Sequence, residues 1–318
     1  MQNIDVTLRD GGYRNGFKFD PTFAVDHAQL SVQSGYDWVE IGYLNGSFKR
    51  SASMGLTGLS QPNYIESIAN RIGTNHVALI GHEHNIQVKD LEVAYTSGAR
   101  LMRFCTTPRN YLETMKLVKA AKDIGFKVGI NLTHVSKLTS NSIVEIVEHI
   151  NKNPVDVVYY ADSNGSLLPH QIRHIVTILN NISECPTGIH AHNHLGMAMS
   201  NNMVAYTVGA TWFDSSFQGM GKGAGNLISE QWMTLVNGGY FGDIQDSPDR
   251  LRALLACSIN IKKEIPESDP EVSAQDILTG LMDLGYEASN HFSPEIEKAV
   301  DEAIESNPKC RFFRRSCA

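Results

Sequence analysis

The sequence predicts an α/β fold, a (β/α)8 barrel with a C-terminal helical extension, and three observations carry that expectation. One module recurs along the chain: an amphipathic helix, then a glycine, then a β-rich run. The runs read as continuously apolar segments, as parallel strands covered on both faces do. Eight of them fit into about 240 residues, which suits a closed barrel better than a doubly wound sheet with fewer strands.

The elements follow in order. The first strand lies near residues 4–8 and ends in Arg9-Asp10-Gly11-Gly12. The second is the end of a module, Ser34-Gly35-Tyr36-Asp37-Trp38-Val39-Glu40-Ile41, and the third lies near 76–80. The fourth and fifth close two more modules, Ser97–Phe104 around Gly98 and Ile124–Ile130 around Gly125, with a helical pattern over Tyr111–Ile124 between them. The sixth lies near 155–160 and is followed by a helical pattern over Gln171–Ile182. The seventh, near 187–192, leads to the last module, Val208–Asp214 around Gly209. Each module glycine stands where a helix C-cap favours a left-handed residue. From Tyr240 the pattern is purely helical, broken at Pro248, Pro266, Pro270, Pro294 and Pro308. Residues 1–240 are therefore expected to form the barrel domain and 241–318 a helical extension packed on it.

Composition excludes several classes. A formal charge of −7 over 318 residues, with no long basic run, argues against a nucleic-acid or anionic-membrane surface. Lys309, Arg311, Arg314 and Arg315 make the extreme C-terminus locally basic and are read as a solvated tail. Cys105, Cys185, Cys257, Cys310 and Cys317 lie far apart with no Cys-x-x-Cys pair, so neither a disulfide framework nor a zinc knuckle is indicated. No apolar run approaches the ~20 residues that span a bilayer, no signal peptide is read, and a reduced, cytoplasmic protein is expected.

In such a barrel, chemistry sits at the C-terminal ends of the strands. Those ends carry Arg9 and Asp10, Glu40, His82 and His84, Asn131 and His134, Asp162 and Ser163, His190 and His192, and Asp214. His190 and His192 alternate on one strand, so both imidazoles face one side. The first and seventh strands are separated only by the eighth, so Asp10, His190 and His192 are expected to meet as a three-ligand metal site with open positions. A 2-oxo acid can fill two such positions through its ketone and one carboxylate oxygen. Cleavage of the bond beyond its α-carbon then places charge on an oxygen that Arg9 can also reach. A salt bridge from Arg9 to Glu40 or Asp162 is the alternative for that side chain, and both roles can hold together.

Thr7-Leu8-Arg9-Asp10-Gly11, His190-x-His192-Asn193, Ala161-Asp162-Ser163 and Gly219-Met220-Gly221-x-Gly223-Ala224-Gly225-Asn226 resemble the four signatures of the DRE-TIM metallolyases, in order and spacing across residues 4–240. Within that superfamily the chain looks most like the bacterial 4-hydroxy-2-oxovalerate aldolases. The resemblance implies a class II aldolase joining or splitting a pyruvate-type enolate and an aldehyde. It implies a divalent metal, manganese with magnesium or cobalt as substitutes, on Asp10, His190 and His192, with Asn226 supplementing the metal shell. It also implies Arg9 at the enolate, Ser163 at the substrate carboxylate with Glu40 and Asp162 nearby, and a homodimer.

Two departures stand out. Where the aldolases carry a histidine three residues after the metal aspartate, this chain has Tyr13, a poor base at neutral pH. His134 is the preferred substitute, with His82 and His84 behind it, although His82-x-His84 also reads as a second metal pair. The region after Tyr240 does not match the segment by which those aldolases dock an aldehyde dehydrogenase, so that partner is doubtful here. Lys222, in the glycine-rich stretch, reads as a solvated loop lysine or a contact to an anionic substrate. Lys127, at the start of its strand, is wrongly placed for a Schiff base. An acyl-CoA lyase or Claisen-type synthase of the same superfamily, and a metal-binding regulatory homologue, are the competing functions.

Overall fold

The structure, a computed structural model, describes residues 1–48, 51, 53–241, 248–270, 276, 279–280 and 283–285. Eight parallel strands close on themselves: β1 (Gln2–Asp5), β2 (Trp38–Tyr43), β3 (Val77–His82), β4 (Leu101–Thr106), β5 (Lys127–Leu132), β6 (Val157–Asp162), β7 (Thr187–Ala191) and β8 (Trp212–Ser215). The barrel closes where β1 pairs with β8, Ile4 opposite Asp214. The helices between them are α1 (Pro21–Gln33), α2 (Leu56–Leu59), α3 (Pro62–Ile72), α4 (Val88–Thr96), α5 (Tyr111–Ile124), α6 (Ser140–Ile150), α7 (Pro169–Ile182) and α8 (Ala198–Thr207). After β8 come α9 (Ser229–Asn237) and α10 (Pro248–Glu264). Start and stop signals are local: Asp20 caps α1 by accepting from the Thr22 and Phe23 amides, and Gly125 ends α5 at φ 116°.

The main hydrophobic layer lies between strands and helices. Inside the barrel, Ile4, Val6, Trp38, Ala78, Leu101, Val157, Tyr159 and Trp212 fill the N-terminal end. There the Lys127 ammonium sits 5.6 Å and 5.5 Å from the Trp38 and Trp212 ring centres, at the end away from the mouth. Because side chains alternate along a strand, the next inward layer falls two residues on, and it is charged: Glu40, Arg103 and Asp214, all fully or almost fully buried. The barrel interior thus changes from apolar to ionic toward the mouth.

The first strand is shorter than the sequence suggests and lies earlier. Asp5 accepts from the backbone N–H of Thr7, at 2.9 Å, and from the Thr7 hydroxyl. The Asp10 N–H turns back to the Val6 carbonyl at 2.7 Å. These bonds take the chain out of the sheet after Asp5 and coil it, so Arg9 and Asp10 enter the mouth from a turn and not from a strand end.

Beyond the barrel, α10 buries Ala253, Leu254, Cys257 and Ile261. Asp283 reaches the mouth loops, where its carboxylate accepts from the Ser136 hydroxyl at 2.7 Å, the Asn164 amide at 2.8 Å and the Ser166 hydroxyl at 2.7 Å. Residues 286–318, with Pro294, Pro308, Cys310, Cys317 and the basic tail, lie outside the described residues. No described helix is long and apolar enough to cross a membrane.

Candidate active site

Asp10, His190 and His192 come together at the barrel mouth, all buried, with one ligand atom of each within 4.8 Å of the others; among the described residues no other such cluster forms. His190 is the penultimate residue of β7, and His192, just past the strand, is held by a bridge to Asn226. Each of the three side chains is fixed from behind. Asp10 Oδ1 accepts from Arg9 Nη1 at 2.5 Å and Oδ2 from the Asn226 amide at 2.6 Å. His192 Nδ1 lies 3.2 Å from the Lys222 carbonyl oxygen. His190 Nδ1 lies 3.0 Å from Asp214 Oδ2. In both rings Nδ1 faces a protein oxygen, which leaves Nε2 for a ligand.

The protonation states suit a cation. Burial pushes the His192 imidazole down to about 3, so it is neutral and carries a lone pair at physiological pH. Burial alone would raise Asp10, but Arg9 and the two histidines outweigh it and hold the carboxyl well below the ordinary range. Two features fit a bound ion. Asn226 Oδ1 is buried beside Asp10 with no partner. Gly221 leaves a cradle there: a Cβ on it would stand 2.6 Å from Asp10 Oδ2 and 2.3 Å from Asn226 Nδ2. One carboxylate, two imidazoles and an amide oxygen suit a divalent cation.

Behind this cluster runs a chain of buried charges. Arg9, 4% exposed, donates from Nε to Glu40 Oε1 at 2.5 Å, while its Nη2 is buried without a partner. Glu40 Oε2 accepts from Arg103 Nη1 at 3.0 Å, and Arg103 Nη2 donates to Asp214 Oδ2 at 2.7 Å. Arg103 also donates from Nε to Asn131 at 3.1 Å and lies 4.1 Å from the Tyr159 ring centre. Asp10, Glu40 and Asp214 carry three negative charges against two on Arg9 and Arg103, leaving the buried cluster at −1.

The mouth cavity is lined by Arg9, Asp10, Tyr13, Tyr43, Phe48, Ile80, His82, Cys105, Asn131, Thr133, His134, Ala161, Ser163, Asn164, His190, His192 and Lys222. One wall is aromatic: the Tyr13 and Tyr43 hydroxyls are 3.3 Å apart, and His82 stacks on Tyr43. Burial pushes Tyr13 up to about 12 and His82 down to about 4. On another wall His134 sits in the left-handed region at φ 54°, its backbone N–H donating to Ser163 Oγ at 2.9 Å. That contact leaves the Ser163 hydroxyl proton free to point elsewhere, and burial lowers the His134 pKa below its ordinary 6.5. Lys222 stretches over the rim, 4.6 Å from the Phe48 ring centre.

Of the residues expected from sequence, Arg9, Asp10, Tyr13, His134, Ser163, His190 and His192 share this cavity, and Asn226 stands directly behind Asp10. Glu40 is displaced from the expected substrate contact: it lies behind Arg9 as its ion-pair partner. Asp162 is corrected more fully. Its carboxylate turns into its own loop, accepting from the Ser166 and Leu167 amides at 3.1 and 3.0 Å, and it neither lines the cavity nor pairs with Arg9. Two backbone donors ahead of α7 compete for it and win. His84 is half exposed on the rim, its Nε2 3.0 Å from the Phe48 carbonyl, and among the described residues His82 and His84 belong to no cluster of three ligating side chains. Sequence reasoning missed Arg103, Tyr43 and Phe48. For Arg103 a signal existed: an arginine amid Leu101-Met102-x-Phe104, a buried strand that tolerates charge only where partners await it.

A family model described as HMGL-like matches residues 1–239, three quarters of the chain and the whole barrel. The chain belongs to the HMGL-like family. This HMGL-like chain is 27% identical over 227 residues to a 4-hydroxy-2-oxovalerate aldolase of Pelotomaculum thermopropionicum, covering 71% of this chain and 67% of that protein. It is 28% identical over 235 residues to one of Geobacillus stearothermophilus, covering 73% and 68%. Among solved structures it is similar to the N-terminal domain of a proposed aldolase from Bacteroides vulgatus, at 24% identity and TM-score 0.79, covering 99% of this chain and 100% of that one. It is also similar to a hydroxymethylglutaryl-CoA lyase of Pseudomonas aeruginosa, at 19% identity and TM-score 0.70, covering 87% and 97%. At these identities the structural likenesses speak to the fold alone.

Proposed function

We propose that this HMGL-like protein is a divalent-metal-dependent aldolase that makes or breaks a carbon–carbon bond between a pyruvate-type enolate and an aldehyde, acting on 4-hydroxy-2-oxo acids. The observation that carries this reading is the pairing of the Asp10/His190/His192 cluster with the unpartnered Nη2 of Arg9 in one cavity. Charge balance supports it. The buried cluster stands at −1; a divalent cation brings it to +1, and a 2-oxo acid monoanion then brings it to zero, the state a low-dielectric site favours.

A divalent ion, with manganese favoured, supplies Lewis-acid stabilisation of the oxygen that gains charge. Asp10, His190, His192 and the Asn226 carbonyl would hold it. The remaining work belongs to this chain's side chains. Arg9 Nη2 donates to the ketone oxygen as it gains charge, a donor already in place and needing no reorganisation. Ser163 keeps its hydroxyl proton for the substrate carboxylate. His134, neutral at physiological pH because burial lowers it, takes the proton from the 4-hydroxyl during cleavage and returns it during condensation. Tyr13 stays protonated with its pKa near 12, so it orients the substrate hydroxyl and does not act as the base.

The test is release of pyruvate from a panel of 4-hydroxy-2-oxo acids, followed with lactate dehydrogenase, in the presence of manganese, magnesium or cobalt. Metal-dependent release supports the reading. Cleavage of a 3-hydroxyacyl-CoA with no pyruvate release would replace it with the acyl-CoA lyase reading, and tight metal binding with neither reaction would favour a regulatory protein, for which Tyr13 is the suggestive residue.

A further inference from the structure

The contact between Arg9 and Glu40 is incomplete in an informative way. A carboxylate beside an arginine ordinarily takes both hydrogens of the Nε/Nη2 edge in a two-point fork. Here Glu40 uses only Oε1, on Nε. Its second oxygen is held 3.0 Å away by Arg103 Nη1, and Arg9 Nη2, the hydrogen-bonding group that would complete the fork, is left buried and unpartnered. Arg103 in turn cannot swing aside, because Nη2 is on Asp214, Nε is on Asn131 and its face lies on Tyr159.

We infer that Arg103 is a positioning residue for the reaction: by holding Glu40 Oε2 it prevents Glu40 from closing on Arg9, and so keeps Arg9 Nη2 open to the substrate oxygen. This rests on the reading above that Arg9 donates to that oxygen. Arg103 touches no substrate; it lies a layer below the mouth, fully buried. Its effect is to spend one buried guanidinium so that another keeps a free donor, and without it the lowest-energy arrangement of Glu40 and Arg9 is the closed fork.

The account separates from a merely structural role by a rescue. The probe is pyruvate in deuterium oxide with the manganese-loaded protein, reading methyl-proton loss by NMR, beside chelator-competition measurements of manganese affinity. R103M frees Glu40 Oε2 to close the fork, so exchange falls ~10²-fold, as expected for loss of one preorganised donor, while manganese affinity changes far less. In R103M/E40Q the fork cannot form, because the amide nitrogen of Gln does not accept. Exchange should therefore recover to well above that of R103M, although a second side chain has been altered. A double variant no faster than R103M overturns the inference, as does an equal loss of metal affinity and exchange in R103M.

Crystal structures without metal provide an arm independent of activity. In the wild type Glu40 should touch Arg9 through Nε alone, and in R103M, which has no donor for Glu40 Oε2, through both nitrogens. A closed fork in the wild type refutes the inference even if R103M fails to fold. Absence of exchange by the wild type with every metal, with the fork open as described, would instead refute the aldolase reading and leave the positioning geometry standing.

Discussion

Gly221→Ala is a perturbation of one methyl group whose consequence can be worked out from distances. The added Cβ would stand 2.3 Å from Asn226 Nδ2 and 2.6 Å from Asp10 Oδ2, where ordinary contact begins near 3.4 Å, so either the amide and the carboxylate retreat by about 1.1 and 0.8 Å or the glycine-rich loop moves. Metal–ligand distances tolerate about 0.2 Å. If Asp10 moves, a ligand leaves its position; if the loop moves, the Lys222 carbonyl and the Asn226 amide move with it, and these hold His192 and Asp10. Loss of such supporting contacts alone costs about 10- to 100-fold in metal affinity, and displacing a ligand adds to it, so a loss of at least ~100-fold is expected, about 2.7 kcal/mol. The assay is competition for manganese or cobalt with a chelator of known affinity, together with the metal-dependent rise in Tm, which should be present in the wild type and absent in the variant. Wild-type affinity in a folded Gly221→Ala protein would refute the placement of Asp10 and Asn226 around the ion.

Three further outcomes follow from the same geometry. Arg9→Lys keeps the charge but loses the planar fork, so turnover should fall ~10²-fold or more with bound metal unchanged, and normal turnover would return Arg9 to a purely structural role. Tyr13→Phe should lower turnover only moderately, whereas His134→Ala should lower it strongly and abolish the acidic limb of the pH–rate profile, which lies below pH 6.5 because burial lowers the His134 pKa; a wild-type profile in both would remove His134 as the base. His82 sits near 4 in the fold against 6.5 unfolded, so the unfolded chain binds the extra proton between those values. Its stabilising contribution is whole above pH 6.5 and is lost as pH falls toward 4, about 3 kcal/mol in all, and denaturant unfolding of His82→Gln should show a correspondingly shallower acid dependence.

Much of this was legible in the sequence because barrel geometry converts strand order into proximity. The glycines before each strand and the apolar runs after them located β2 to β8 within a few residues, and period-2 alternation in β7 placed His190 and His192 on one side. The turn that carries Asp10 was less legible: Asp5 and Thr7 form a local hydrogen-bonded knot that ends β1 early, and nothing in an apolar pattern records a side chain bonding its neighbour's backbone. The turn of the Asp162 carboxylate into its own loop was illegible for the same reason, since the Ser166 and Leu167 amides that capture it leave no mark on any periodicity. Arg103 was visible as a charge in an apolar strand, but its role depends on which oxygen of Glu40 it holds, a matter of ångströms across the barrel. The left-handed backbone at His134 and the placing of Tyr13 and Phe48 beside Tyr43, which ends β2, come from segments between strands, whose paths the sequence pattern does not encode.

The most direct measurement of the central claim is deuterium incorporation into the methyl group of pyruvate, with no aldehyde present, by protein stripped of metal and then reloaded with manganese. The account predicts exchange that appears on reloading, disappears with a chelator, and is absent in Asp10→Asn and His192→Ala proteins that remain folded. Exchange that persists in the chelator, or a pyruvate adduct trapped on the protein by borohydride, would contradict it.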